Sequence, residues 1–171
     1  MLIEEQLFSR FKGKTVLLDS NLLLVLLCGS LGMQVFKRFK RVSGYTLGDY
    51  ELLVRLVEKF SVLLTTPHIL TEVSNLANSL PSWYKADWCR VFASLIAGSG
   101  DGVHMLERWT PAVELAGMPQ FLEYGITDSA VAKLCTEALV VTEDYRLSGA
   151  LRSQNVPVLN FRDFKSLSRF L

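Results

Sequence analysis

A short apolar stretch that ends in polar residues, Thr15-Val-Leu-Leu-Asp-Ser-Asn21, decides the fold class of this chain. Its apolar part is too short for a helix and is typical of a strand buried on both faces of a parallel sheet. The polar residues that follow suit the start of a helix, and we expect Ser20 or Asn21 to cap a helix that begins at Leu22. The stretch therefore predicts a strand followed directly by a helix, which is the repeating unit of an α/β fold.

The same alternation of strand and helix continues along the rest of the chain. The segment 29–48 mixes glycine with basic and aromatic residues and predicts a loop or a broken helix. Strands alternating with helices imply a parallel sheet covered on both faces. Further strands are predicted at 61–66, 139–142 and 156–159, with a short strand or helix at 103–109. Further helices are predicted at 49–60, 67–80, 82–97, 110–121, 128–137 and 145–154.

The size and composition of the chain predict one globular domain over residues 1–171. Half of its 171 residues are apolar, which is enough for a sizeable core. The net charge is +1, so the protein surface as a whole has no strong positive electrostatic field that would favour binding of nucleic acid. Binding to nucleic acid would instead require a local basic patch.

Apolar runs and cysteines predict a cytoplasmic protein without a membrane span. The run 16–31 is interrupted by Asp19 and Asn21 and ends in glycines, unlike a membrane-spanning helix. Acidic residues near the N-terminus and the lack of a small-residue cleavage site do not fit a signal peptide. The three cysteines lie far apart among apolar residues, so we expect buried, reduced thiols.

Four acidic residues are placed where an α/β fold gathers its ligands. Asp19 and Asp144 follow predicted strands, Glu72 lies in the helix after another strand, and Asp128 opens the helix before the strand 139–142. Ligands of open parallel sheets bind beyond the carboxyl ends of the strands. Two like charges about 4 Å apart repel by about 4 kcal/mol at an effective dielectric of 20. Four carboxylates in one cleft therefore favour Mg²⁺ or Mn²⁺, and phosphodiester hydrolysis by a metal-activated water.

Each acid also has a purely structural interpretation. Asp19, Asp128 and Asp144 each stand near a predicted helix start and suit helix capping, and Glu72 suits a solvated helix face. The joint placement of the four favours the metal site over four separate structural roles. Glu143 and Glu123 are weaker candidates. We expect Glu143 to point away from the site, because neighbours on a strand alternate faces.

The segments that carry these acids resemble the four motifs of PIN-domain ribonucleases, in order and over nearly the whole chain. Asp19-Ser-Asn21 resembles the opening motif, and Thr142-Glu-Asp144 resembles the last one, a Thr-x-Asp at a strand end. Between them, the segment 67–73 resembles the helix that carries the family's glutamate, and 125–131 resembles the third acidic motif.

This resemblance implies a fold, an activity and partners. The fold is a Rossmann-like α/β/α sandwich with a mainly parallel central sheet, and the activity is endonucleolytic RNA hydrolysis with Mg²⁺ or Mn²⁺. Asn21 and Thr142 would orient carboxylates by hydrogen bonds. RNA would be the substrate, a homodimer is expected, and many small members are toxins neutralised by an antitoxin protein. The catalytic and metal-binding residues carried over are Asp19, Glu72, Asp128 and Asp144.

Other residues suit RNA contacts or ordinary packing. The cluster Lys37, Arg38, Lys40 and Arg41 could bind phosphates, although a solvated helix face fits it at least as well. Arg146 could also contact a phosphate or form a surface ion pair. Among the aromatic residues of 82–97, core or dimer packing is favoured over base stacking. His68 is expected to be an ordinary surface or packing histidine.

Two other functions remain alternatives. A catalytically silent PIN-like module could bind RNA or protein without cleaving it. An aspartyl phosphotransfer or phosphatase domain would use Asp19 as its nucleophile. The second alternative fits less well, because Asn21 stands where a phosphatase of the Asp-x-Asp type has its second acid.

Overall fold

Five parallel strands form the centre of the protein in the computed structural model, which describes residues 3–98 and 103–167. Their order in the sheet is β3-β2-β1-β4-β5, and every neighbouring pair is parallel. The predicted α/β class with a parallel sheet is therefore confirmed, and the segment 103–109 supplies a strand. The strands are β1 (Thr15–Leu18), β2 (Val62–Thr65), β3 (His104–Glu107), β4 (Leu139–Thr142) and β5 (Val158–Asn160).

Ten α-helices and one short 3₁₀ helix, Lys40–Val42, accompany the sheet in the described ranges. Helix α2 contacts α4, α5 and α6, whereas α1, α9 and α10 contact β5. This architecture is consistent with a Rossmann-like α/β/α sandwich. The α-helices are α1 (Ile3–Phe11), α2 (Ser20–Gly29), α3 (Gln34–Arg38), α4 (Leu47–Val57), α5 (Pro67–Ala77), α6 (Ser82–Ala97), α7 (Ala112–Ala116), α8 (Phe121–Leu134), α9 (Tyr145–Ser153) and α10 (Phe161–Leu167).

The central strand β1 explains why the opening stretch is so apolar. It pairs with β2 on one side and β4 on the other, and Val16 and Leu17 are completely buried. A strand in this position has no solvent-facing side, so an alternating polar pattern would bury unpaired polar groups. The polar residues are therefore confined to the point where the strand ends.

The chain reverses its direction of travel across the sheet between β1 and β4. From β1 it proceeds outward to β2 and β3, and from β4 it proceeds outward to β5 on the opposite side. Such a topological switch point leaves a crevice beyond the carboxyl ends of the two strands, where open α/β sheets bind ligands. Asp19 and Asp144 both follow strands that border this crevice.

Several local expectations were wrong. Asp19, rather than Ser20 or Asn21, caps α2. Helix α7 is much shorter than the predicted helix at 110–121, because it is bounded by Pro111 and Gly117. Helices α1 and α10 were not predicted, and Cys89 is exposed rather than buried.

Within the described residues, the helices are all too short or too polar to cross a membrane.

A close approach between α2 and α4 depends on the absence of a side chain at Gly29. A Cβ atom built there would lie 2.1 Å from Cδ2 and 2.6 Å from Cγ of the Tyr50 ring. Because the clash involves ring atoms close to the Tyr50 backbone, Gly29→Ala should force Tyr50 out of place. We expect the free energy of unfolding to fall by about 1–3 kcal/mol in urea denaturation.

Gly149 provides the matched control, because it lies inside α9 with nothing within 4 Å of its built Cβ. Gly149→Ala should raise the free energy of unfolding by up to about 1 kcal/mol through helix propensity alone. A Gly29→Ala protein as stable as Gly149→Ala would contradict the packing account of the α2–α4 contact.

Candidate functional site

Asp19 is a buried carboxylate held by three donors at the end of β1. Its Oδ1 accepts a hydrogen bond from the Leu22 amide at 2.7 Å, which caps α2. Its Oδ2 accepts from the Thr142 hydroxyl and from the Glu143 amide at 3.3 Å. Burial raises the pKa of Asp19 to about 6, and these hydrogen bonds oppose the rise.

The Thr142 hydroxyl connects the ends of the two central strands. This completely buried residue ends β4, donates to Asp19 Oδ2, and accepts a hydrogen bond from the Asp144 amide at 3.0 Å. Because β1 and β4 are paired with Leu18 beside Val141, the hydroxyl lies between the two acidic segments. One side chain thus fixes Asp19 relative to the turn that carries Asp144.

Asp144 caps α9 and remains exposed to solvent. Its Oδ1 accepts hydrogen bonds from the amides of Arg146 at 2.7 Å and Leu147 at 3.2 Å. The structural role expected for Asp144 is therefore present, and both hydrogen bonds to its side chain within the described residues end on Oδ1. Among those residues, Oδ2 is the oxygen that another ligand can approach.

Glu72 reaches the start of α2 from the middle of α5. Thr66 caps α5 and Pro67 occupies its first turn, so the helix starts at the carboxyl end of β2. The half-buried Glu72 accepts a hydrogen bond through Oε2 from the Ser20 hydroxyl at 3.0 Å. Ser20 was considered only as a helix cap, whereas Asn21, the predicted orienting residue, is exposed.

Asp128 is the acid whose pKa is affected by the charges of all three others. Gly125 breaks α8 with a φ of 77°, and Asp128 lies in the first turn after this break. Burial is the largest of the causes that raise its pKa to about 7, the charges of Glu72, Asp19 and Asp144 add to the rise in that order, and Arg146 opposes it. Asp128 therefore lies close enough in space to each of the other three sequence-predicted acids to be repelled by it.

The donor set suits a hard divalent cation in charge and in ligand type, because all four side chains are carboxylates. In the described part of the chain, however, no group of three or more His, Cys, Asp or Glu residues is arranged to hold a metal ion. Asp19, Glu72 and Asp144 are instead held by the protein's own donors. Mg²⁺ usually binds through one or two carboxylates and keeps several waters, so it does not need three carboxylates at once.

Glu143 forms a separate polar network behind Asp19. Its Oε2 accepts a hydrogen bond from the Tyr45 hydroxyl at 3.0 Å, and its carboxylate lies 3.4 Å from Arg162 and 3.3 Å from Lys165. Its charge still contributes to the raised pKa of Asp19. Glu143 therefore ties the β4 turn to α10 and to the segment before α4.

The basic residues predicted as RNA contacts lie on the surface. Lys37 and Arg38 are exposed on α3, and the Arg38 guanidinium lies 5.9 Å from the centre of the Trp83 ring. Lys40 and Arg41 are exposed on the 3₁₀ helix, whereas the two phenylalanines of this region are buried. Arg146, which lies nearest the acids, forms an exposed ion pair with Glu123 at 3.4 Å.

Comparisons with known proteins do not assign the chain to a family. No protein-family model matches it. No curated protein and no solved structure matches it either. The resemblance to PIN-domain ribonucleases therefore depends on the four motif segments alone.

The repulsion among the acids predicts a characteristic dependence of stability on pH. The pKa of Asp128 is about 7 in the folded protein and 3.8 without the fold, so the folded state binds the proton more tightly. Its stabilising contribution is complete below about pH 4 and is lost as the pH rises through 7. We expect Asp128→Asn to raise the free energy of unfolding by about 2 kcal/mol at pH 8, allowing for its partial exposure, and to change it little at pH 4.

Thermal denaturation at both pH values measures this difference. Asp87→Asn is the control, because Asp87 is exposed on α6 and pairs only with Arg90 on the same helix. Its effect should be small at both pH values. An Asp128→Asn protein that is destabilised at pH 8 would mean that the acids do not repel one another as described.

Proposed function

We propose that this protein is a divalent-metal-dependent ribonuclease that hydrolyses RNA phosphodiester bonds. The observation that carries the proposal is the position of Asp128, whose pKa is raised by burial and by the charges of Glu72, Asp19 and Asp144. These acids come from four separate segments, and Asp19 and Asp144 follow the two strands that border the switch point between β1 and β4. A purely structural set of helix caps would not need to be collected at one crevice.

Hydrogen-bond donors in the site orient the carboxylates that would hold the cation. Thr142 and the backbone amides of Leu22 and Glu143 fix Asp19, which keeps this buried carboxylate in one orientation. Ser20 orients Glu72 from the neighbouring helix start. Ligands held by such partners keep their geometry, so the energetic cost of ordering them is met during folding.

The acids that would hold the cation are Asp19, Glu72, Asp128 and Asp144. When bound, a divalent cation offsets their repulsion, makes a bound water more acidic and stabilises negative charge on a phosphate. Within the part of the chain that the structure describes, Glu72 and Asp144 each accept hydrogen bonds through one carboxylate oxygen, so the other oxygen would hold the cation.

The charge distribution around the site supports a polyanionic substrate. Arg146 lies close enough to lower the pKa of Asp128, and its ion pair with Glu123 is exposed and weak. A phosphate approaching the acids could therefore replace Glu123 as the partner of the Arg146 guanidinium. RNA is the substrate class that the four PIN-like motif segments suggest.

Replacing one acid should separate catalysis from folding. Asparagine can still cap α9 through its side-chain oxygen, so Asp144→Asn should fold normally. Because it removes one charge from the site, cleavage of single-stranded RNA in Mg²⁺ or Mn²⁺ should fall by about a hundredfold or more. The measurement is the rate of RNA cleavage by gel electrophoresis, with chelation of the metal as a second way to remove activity.

Asp87→Asn again serves as the control and should cleave RNA at the wild-type rate, because Asp87 lies on α6 and contributes nothing to the acidic crevice. Unchanged cleavage by Asp144→Asn would refute the assignment of the site. Wild-type protein that cleaves no RNA in either metal would refute the proposed function and favour a binding module.

A further inference from the structure

A pocket of about 450 Å³ lies beside the acidic crevice and is not used by the chemistry described above. Glu72 belongs to both, so the pocket opens directly next to the proposed cleavage site. One wall is a single face of α5, because its residues are spaced by three and four positions. This wall consists of His68, Thr71, Glu72 and Asn75, and the remaining lining residues are Pro67, Trp109, Ile126 and Thr127.

Trp109 is the most unusual residue of this pocket. It follows β3, at the same carboxyl end of the parallel strands as the acids, and its side chain is 75% exposed. The Arg108 amide donates to the Thr65 carbonyl at 2.9 Å, and buried Thr110 bonds to His68 at 3.2 Å. The backbone on both sides of Trp109 is therefore anchored, which keeps this residue at the border of the pocket. A large aromatic ring exposed beside a pocket suits a ligand that stacks on it.

Polar groups on the α5 wall suit the edge of a flat heterocycle. Thr71 and Asn75 are exposed, and an asparagine side chain offers both an amide donor and a carbonyl acceptor. His68 also lines the pocket, and because its Nδ1 bonds to Thr110, Nε2 is the ring nitrogen that would bind a ligand. Unstacked RNA bases are recognised by this combination of aromatic stacking and hydrogen bonds to their edges.

We infer that this pocket, which we call the Trp109 pocket, binds a nucleobase of the RNA strand next to the bond that is cut. The inference rests on the proposed function, because a phosphate at the acids places a neighbouring base beside Glu72. Stacking on an aromatic ring tolerates any base, so the pocket positions the strand with modest sequence preference.

Binding can be tested separately from cleavage by using the Asp144→Asn protein, which is expected not to cut its ligand. Fluorescence anisotropy would measure the affinity for a labelled oligoadenylate RNA in Mg²⁺, and for a ribose-phosphate chain of equal length without bases. Trp109→Leu should weaken oligoadenylate binding about tenfold or more and leave binding of the base-free chain unchanged. Trp109→Phe retains a ring for stacking and should restore most of the affinity.

Val113→Ala is the matched control, because Val113 is 80% exposed on the nearby α7 but does not line the pocket. It should bind both chains as well as the parent protein does. Equal oligoadenylate affinity in Trp109→Leu, equal losses for both chains, or no RNA binding at all would overturn the inference. The proposed function fails by a different result, namely the absence of RNA cleavage by the wild-type protein.

Discussion

The parallel pairing of β1 with β4 is the constraint on which the candidate site depends. It places the ends of the two central strands side by side. The Thr142 hydroxyl can therefore donate a hydrogen bond to Asp19 and accept one from the Asp144 amide. Both strands are buried, and the apolar residues that hold them together therefore also fix the polar residues at their ends. The acidic site is a consequence of the sheet rather than of any local loop motif.

Two opposing effects determine the state of the acids in this crevice. Burial favours the protonated forms of Asp19 and Asp128, and nearby carboxylates add to this effect, namely Glu143 at Asp19 and the other three acids at Asp128, whereas hydrogen bonds to Asp19 favour its charged form. Burial outweighs the hydrogen bonds at Asp19, since its pKa rises despite three donors. The fold thus maintains an unfavourable charge distribution that a divalent cation would relieve. Such stored repulsion is typical of functional sites rather than of helix caps.

The buried strands, and the acids at the ends of β1 and β4, could be predicted because both depend on short-range pattern. A buried central strand requires an apolar run, and a polar residue after it lies at the carboxyl end of the sheet. Helices α1 and α10 were not predicted, although α1 carries an amphipathic pattern as clear as that of α5, and both helices contact β5. Asp19, Ser20 and Asn21 were all candidates for capping α2, because the residue that ends a strand can also begin a helix.

Contacts between distant segments could not be predicted from one sequence. The Ser20–Glu72 bond joins residues 52 positions apart, and only the packing of α2 against α5 brings them together. Trp109 carried no local signal, because a tryptophan in a short amphipathic segment is usually a core residue. The alternation rule also failed to anticipate the network around Glu143, since β4 ends at Thr142 and the next residue belongs to a turn.

The central claim is that the four carboxylates together form a divalent-cation site. A crystal of the wild-type protein soaked in Mn²⁺ tests it most directly, because Mn²⁺ gives an anomalous X-ray signal that locates the ion. The account predicts a strong anomalous peak among the carboxylates of Asp19, Glu72, Asp128 and Asp144, lost in Asp128→Asn crystals soaked in the same way. Saturating Mn²⁺ that gives no peak in this crevice would contradict it.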